Sequence, residues 1–449
     1  MREELKYLAF ITVLHAVFFV MAAGYENIIL PDSEDYIWQA ENIKTEGSFY
    51  AADFSKPIKT DYFSKRPPLY ALLVLVITTI TGSLFGILFI QNILSILTAW
   101  LIYRLLKTDF KIPHAAGWSA GLWLIFPNQL LYANMVMSET LLQFLLVSAF
   151  YFFVRYTRNQ QPGWIYLNVL CLSLALLTKP VMLYFWILNA VVLVLLGIKY
   201  RQYFLPLPVL ILPLIIVLWS EKNYETTGYR HYASISHVNL KDYNTKYFLF
   251  EKYGSKYGDS VINIIDTKLA TLPDYKDRCE YIKDTCARII LSDIPRYTKF
   301  HIKGMVTFMI DPGRYDYVNF FAVPQGDRLG LLHYVSKGDI AELKQFLKTQ
   351  PLWLVIVMAV QMLLSGLVMV LCFVSLFDKT VPFWPKLYLY LIIGYIWFIT
   401  GPIGSARFKV PVYPLLIIAA LVGLNYLLKW SAKNRVNSQN QNQPADSPA

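Results

Sequence analysis

Residues 67–103 read PPLYALLVLVITTITGSLFGILFIQNILSILTAWLIY, a run with no Asp, Glu, Lys or Arg anywhere in it. Whether it crosses a bilayer once or twice sets the side of every later loop. Its one interruption is Thr81-Gly82-Ser83. Residues 84–103 make a full span, for which about 20 apolar residues are needed. Residues 69–80 are too few to cross and suit a flat interfacial or re-entrant helix.

The distribution of basic residues agrees with one crossing. With 69–80 lying flat, Arg2, Lys6, Arg104, Lys107, Lys111, Arg155, Arg158, Lys199, Arg201, Lys379, Lys386, Lys429, Lys433 and Arg435 fall at cytoplasmic ends. Letting it span would export the clusters at 104–111, 155–158 and 199–201. Working outward, a first apolar block sits at 5–23, with Lys6 at its start, and further charge-free blocks sit at 115–132, 140–154, 164–177, 181–198, 203–219, 352–377, 387–400 and 410–428. The block at 5–23 lacks a small-residue cleavage pattern and reads as a span more than a removable signal peptide. The sequence thus predicts a polytopic α-helical membrane protein of about ten transmembrane helices, with both termini cytoplasmic.

Composition supports this. The 449 residues are 56% hydrophobic and 16% charged, against about 45–50% and 25% for soluble domains. A soluble enzyme, a disordered chain and a nucleic-acid module are excluded. The net charge of +11 sits mostly at helix ends on one side and is topogenic, so membrane lipids and not nucleic acid are the expected surroundings.

Two segments face outward. The first outer loop, 24–68, is acidic and contains the flat helix's approach; the second, 220–351, has mixed charge and is long enough for a small extracytoplasmic domain. The domain order is a transmembrane module at 1–219, the outer domain at 220–351, C-terminal transmembrane helices at 352–430 and a disordered Asn/Gln-rich cytoplasmic tail at 431–449. Cys279 and Cys286 lie in the outer domain. Seven residues apart on one helix their Cα atoms would be roughly 10 Å apart, beyond the ~7 Å a disulfide allows, so free thiols are expected.

The chain has no Gly-rich nucleotide loop and no His/Cys metal pattern. Its informative polar residues stand at outer helix ends. Pro31-Asp32-Ser33-Glu34-Asp35-Tyr36 follows the first span. Asp32 or Ser33 there is either a helix N-cap, with Glu34 and Asp35 favoured by the dipole, or a carboxylate poised as general base or cation ligand. Ser138-Glu139 stands where the third span turns into the fourth. Ser138 is a possible cap, and an acid such as Glu139 at that depth is a functional candidate. Lys65-Arg66, Lys179 and Arg407 are cations on the outer side. Each is either a snorkelling anchor or part of a site for an anionic ligand such as a lipid phosphate.

In this order, an Asp four before a Tyr after the first helix, Arg-Pro-Pro-Leu at 66–69, Ser-Glu at 138–139, Lys-Pro at 179–180 and Arg-Phe-Lys-Val-Pro-Val-Tyr-Pro at 407–414 resemble the superfamily C glycosyltransferases, in particular the clan of protein O-mannosyltransferases and lipid A aminoarabinose transferases. The resemblance covers about 1–220 and 352–428. It implies that Asp32 is the catalytic carboxylate; where many members carry Glu next, this chain has Ser33. The outer domain matches nothing in the family, and there His301 and the stretch Asp311-Pro312-Gly313-Arg314 suggest a lip of the site.

The resemblance implies a sugar donor on a polyprenyl phosphate. Phosphate leaves without a proton donor, so the carboxylate pair of a glycosidase is not required, and Asp32 alone would deprotonate an acceptor hydroxyl with inversion. Lys65, Arg66, Lys179 and Arg407 would balance the phosphate charge, and Glu139 would orient the acceptor or hold a cation. The acceptor is a glycolipid, polysaccharide or protein. No cofactor is expected, although Asp32-x-Glu34 could ligate Mg²⁺ or Mn²⁺. A polysaccharide polymerase or ligase and a lipid-linked saccharide transporter are the alternatives. The absence of any Asn-x-Ser/Thr sequon leans toward a bacterial inner membrane.

Overall fold

The computed structural model describes residues 2–323 and 340–441. Among them every regular element is a helix. Six helices are long and apolar enough to cross a membrane: Arg2–Tyr25, Phe85–Asp109, Glu139–Asn159, Leu207–Thr227, Leu352–Ser375 and Ala406–Arg435. Three more of the expected spans are shorter helices, Gly163–Thr178, Phe185–Lys199 and Phe383–Ile399.

The expected span at 115–132 is not one helix. It is broken into Pro113–Ile125 and Asn128–Ala133. Pro127 disfavours the α region for the residue before it, and Phe126 accordingly leaves the helix at φ −127°, ψ 76°. Counting α1 (Arg2–Tyr25), α2 (Pro31–Glu46), α3 (Pro68–Thr81), α4 (Phe85–Arg104), α5 (Pro113–Ile125), α6 (Asn128–Ala133), α7 (Glu139–Asn159), α8 (Gly163–Thr178), α9 (Phe185–Lys199) and α10 (Ile211–Thr227), two other boundaries move. Helix α10 runs through the expected edge at residue 220, and the last helix, Tyr413–Gln441, takes in the first part of the expected disordered tail. Residues 442–449 lie outside the described residues. The short segment at 69–80 is α3, 14 residues ending on Gly82 in the left-handed region at φ +67°. At about 1.5 Å per residue it is roughly 21 Å long, and it packs against α2, α4 and α8.

Apolar side chains face outward along the long helices, as Val13, Val17, Val217, Leu218, Leu363 and Phe373 show. Polar groups turn inward and pair across helices, where no water competes. His15 of α1 meets Asn92 of α4 at 2.7 Å, and Asn92 donates to Asn134 at 2.8 Å. Helix α7 is the hub, packed on α4 and α8. The last helix lies so close to Leu352–Ser375 that a Cβ on Gly423 would collide with the Leu371 carbonyl, which is the role small residues play at membrane helix interfaces.

This packing holds the first loop over the turn before α7. Val136 N–H donates to Ile28 O at 2.9 Å, and Gln91 Nε2 donates to Met135 O at 2.7 Å. Asn42 of α2 donates to the carbonyls of Tyr50 and Ala52 at 2.7 and 2.8 Å, and Gln39 Nε2 donates to Arg66 O at 3.3 Å. The loop is thereby folded back so that Arg66 returns to the start of α2.

Candidate active site

Helix α2 starts at Pro31, whose fixed φ and missing N–H suit a first helical position. Its N-cap is Leu30, and Ser33 Oγ accepts the Leu30 N–H at 2.9 Å. Asp32 and Ser33 are therefore not the cap; they lie within the first turn. Asp32 and Asp35, three apart, share one face.

That face meets Arg66. Its Nη2 lies 2.9 Å from Asp32 and 2.9 Å from Asp35, and its Nε donates to Asp35 at 3.0 Å. Lys65 Nζ donates to the other Asp35 oxygen at 2.9 Å and sits 4.1 Å from the Tyr62 ring centre. Tyr36 lies beneath, its ring 5.4 Å from the Arg66 guanidinium, and its hydroxyl is 3.0 Å from Ser138 Oγ. Ser138 thus joins α2 to α7, and it makes no side-chain cap bond.

Arg407 carries the chain of charges onward. It stands in the short helix Ala406–Lys409, with the Ser405 side chain accepting the Arg407 N–H. Its Nη1 lies 2.7 Å from Asp32, and its Nε donates to Glu139. Lys179, held extended after α8 by the following proline, donates to Glu139 at 2.6 Å. The result is an alternating series: Lys65, Asp35, Arg66, Asp32, Arg407, Glu139, Lys179. Four cations face three carboxylates, an excess of one positive charge.

The series is most exposed at Asp32 and Arg407. The Glu139 side chain is 0% exposed and that of Asp35 8%, whereas Asp32 is 33% and Arg407 20% exposed. A ligand arriving from solvent therefore meets Asp32 and Arg407 first. Burial pushes the Asp32 carboxyl up, but Arg66 and Arg407 outweigh it and hold the group well below the usual carboxylate range. Asp32 is ionised, yet tied down. Glu139 Oε2 is buried with no hydrogen-bond partner among the described residues.

The two principal acids and all four cations expected from sequence meet here, and each of the four cations is ion-paired. Asp35, a secondary candidate, is fully part of the series; its spacing from Asp32 was the available signal. Glu34 points to solvent. Both Asp32 oxygens are engaged by arginines, and no group of three or more His, Cys, Asp or Glu is gathered at metal spacing among the described residues. His301 binds Phe398 O at 2.8 Å, away from the series. Arg314 donates to Gln350 at 2.9 Å and lies over Phe346. In that stretch Asp311 accepts the Ala406 N–H at 2.8 Å; just beyond it Asp316 is buried and accepts from Asn128 and Tyr132 at 2.7 Å each, which no signal in the sequence indicated.

The family model of dolichyl-phosphate-mannose-protein mannosyltransferases matches residues 65–220, which include Lys65, Arg66, Glu139 and Lys179. No curated protein matches the chain. Among solved structures it is similar to the archaeal oligosaccharyltransferase AglB from Archaeoglobus fulgidus in complex with an inhibitory peptide and a dolichol-phosphate, at 14% identity and a TM-score of 0.45 over 98% of this chain and 52% of that one. The chain therefore spans about half the length of that relative. It is also similar to ArnT from Cupriavidus metallidurans bound to undecaprenyl phosphate, at 14% identity and a TM-score of 0.42 over 99% of this chain and 82% of that one. The chain is a polytopic helical membrane protein that resembles the superfamily C glycosyltransferases of the protein O-mannosyltransferase and aminoarabinose transferase clan.

Proposed function

We propose that this protein transfers a sugar, with inversion, from a polyprenyl-phosphate donor to a hydroxyl of a glycolipid, polysaccharide or protein outside the cytoplasm. The observation that carries the reading is the position of Asp32, midway along a cation-rich series and clasped by two arginines at its most exposed point. An anionic phosphate entering there competes with Asp32 for Arg66 and Arg407. Guanidinium groups suit such bidentate contacts. As the arginines turn to the phosphate, Asp32 is released from its ion pairs and its basicity rises.

The released carboxylate takes the proton of the acceptor hydroxyl. The acceptor oxygen then bonds to the anomeric carbon from the face opposite the phosphate, the carbon–oxygen bond to phosphate breaks, and polyprenyl phosphate departs with the bonding pair. Arg407, Arg66, Lys179 and Lys65 balance the charge that develops on it. Glu139 fixes Arg407 and Lys179 and does not exchange a proton. With four cations in place, no metal ion is needed for the step. The site faces outward from a bacterial inner membrane with both chain termini cytoplasmic, in keeping with the basic helix ends.

Mass spectrometry of surface glycolipids and glycoproteins from a deletion strain tests this reading. One sugar missing from one acceptor, restored by the wild-type gene and not by an Asp32→Asn variant, is the expected result. An unaltered set of glycans would overturn it.

A further inference from the structure

A cavity of about 420 Å³ opens between the first loop and the middle helices. Lys59 and Asp61 stand on one wall; His237, Lys241 and, from the helix Tyr275–Leu291, Tyr275 and Arg278 stand on the other. Small-molecule sites run from about 300 to 1,000 Å³, so the space suits a sugar ring with a substituent.

The charges around it are unevenly satisfied. Lys241 is engaged by Asp266 and lies 3.4 Å from Asp242. Arg278 makes no ion pair among the described residues, and its Nε is buried without a hydrogen-bond partner, as is Nδ1 of His237. The Arg278 guanidinium stands 5.8 Å from the centre of the Tyr275 ring, so a cation backed by an aromatic ring stands in the cavity wall.

The cavity is tied to the charged series on two sides. The single 3₁₀ turn Thr60–Ser64 has Asp61 in the cavity wall and is followed directly by Lys65 and Arg66. At about 2 Å rise per residue the two ends lie roughly 10 Å apart. Ser234 N–H donates to Ser64 O at 3.0 Å, Ser234 Oγ donates to Asp61 O at 2.6 Å, and Ser64 Oγ lies 2.6 Å from His231. Opposite, Lys241 and Asp242 belong to the π-helical turn Asn239–Thr245, a geometry frequent at functional sites. Tyr243 of the same turn feels the site, since burial and then the Asp32 charge push its hydroxyl above its usual value.

We propose that this cavity is the acceptor subsite and holds a sugar bearing an anionic oxygen, phosphate or carboxylate, against Arg278. The assignment of the bound group as acceptor rests on the transfer reading above.

The test titrates the full-length protein in detergent with glucose 6-phosphate, glucuronic acid and glucose, by calorimetry, beside a donor-cleavage assay with water as acceptor. At least one anionic sugar should bind more tightly than glucose, and whichever binds better names the anionic group. Arg278→Gln should weaken that binding about 10- to 100-fold, the worth of one charge-assisted hydrogen bond, and leave donor cleavage unchanged. Lys59→Ala, at an exposed position on the rim, should weaken it in the same direction and covers the case in which the Arg278 variant misfolds. Anionic-sugar binding no tighter than glucose, or equally tight in wild type and variants, would overturn the proposal. Absence of donor cleavage by the wild type, both in water and with the bound sugars supplied as acceptors, would remove the transfer reading and the acceptor role with it, whatever the sugar titration showed.

Discussion

Arg407 Nη1 lies 2.7 Å from Asp32, while the same guanidinium donates through Nε to the fully buried Glu139. One side chain thus links the exposed acid of the series to its enclosed one. Movement of Arg407 toward a bound anion alters the electrostatic setting of both.

Replacing Arg407 with Ala should weaken use of the lipid-linked donor about 10- to 100-fold, since a charge-assisted hydrogen bond is worth about 1.5–3 kcal/mol. Arg407→Lys should recover little, because an ammonium group does not present the planar fork that reaches two carboxylates at once. Donor titrations of the three proteins under equal salt check this.

Glu139→Ala leaves Lys179 and Arg407 without their shared acid in a buried setting. Breaking such a pair costs about 3–5 kcal/mol, so the variant should show a clearly lower Tm in detergent. The double variant Glu139→Ala with Lys179→Met should regain part of the loss, which a thermal-unfolding cycle measures.

Asp316 should impose a pH dependence on stability. Burial pushes its carboxyl up to about 7, against the bonds from Tyr132 and Asn128 that pull it down. The folded value exceeds the unfolded one of about 3.9, so the native state keeps the proton to higher pH. The associated stability is complete below about pH 4 and is lost as pH rises through about 7. Wild-type Tm should therefore fall between pH 5 and pH 8, and Asp316→Asn should flatten that slope. Asp32 has the opposite sign, with a depressed folded value, and any loss it causes comes only in strong acid.

Chelation should leave transfer intact. Treatment with excess EDTA followed by assay in metal-free buffer should retain full turnover, because the cations facing the donor phosphate are side chains. Loss of turnover that Mg²⁺ or Mn²⁺ restores would contradict this.

Much of the site was legible because a membrane chain concentrates its information. Charges are costly near the bilayer, so Glu139, Lys179 and Arg407 stood out against long apolar blocks. Their order also carried the family resemblance. Less legible was what depends on tertiary contact. Pro127 broke an apolar block that hydropathy alone reads as one span. Ser33 and Ser138 looked like caps, but Ser33 folds back on Leu30 and Ser138 meets Tyr36. In the middle segment, acids and bases are common on exposed faces, so neither the burial of Asp316 nor the lack of an ion pair at Arg278 among the described residues could be read from the sequence.

The most direct measurement is the turnover of Asp32→Asn in liposomes with a polyprenyl-phosphate sugar, beside Glu34→Gln as a control at an exposed neighbouring acid. Asn keeps the size of the side chain and removes its basicity. If Asp32 is the base, the variant should fold and still bind donor but lose about 10²-fold or more in kcat, while Glu34→Gln stays near wild type. A folded Asp32→Asn protein with near-normal turnover would contradict that role, and a dead Glu34→Gln beside it would move the base two residues along the helix.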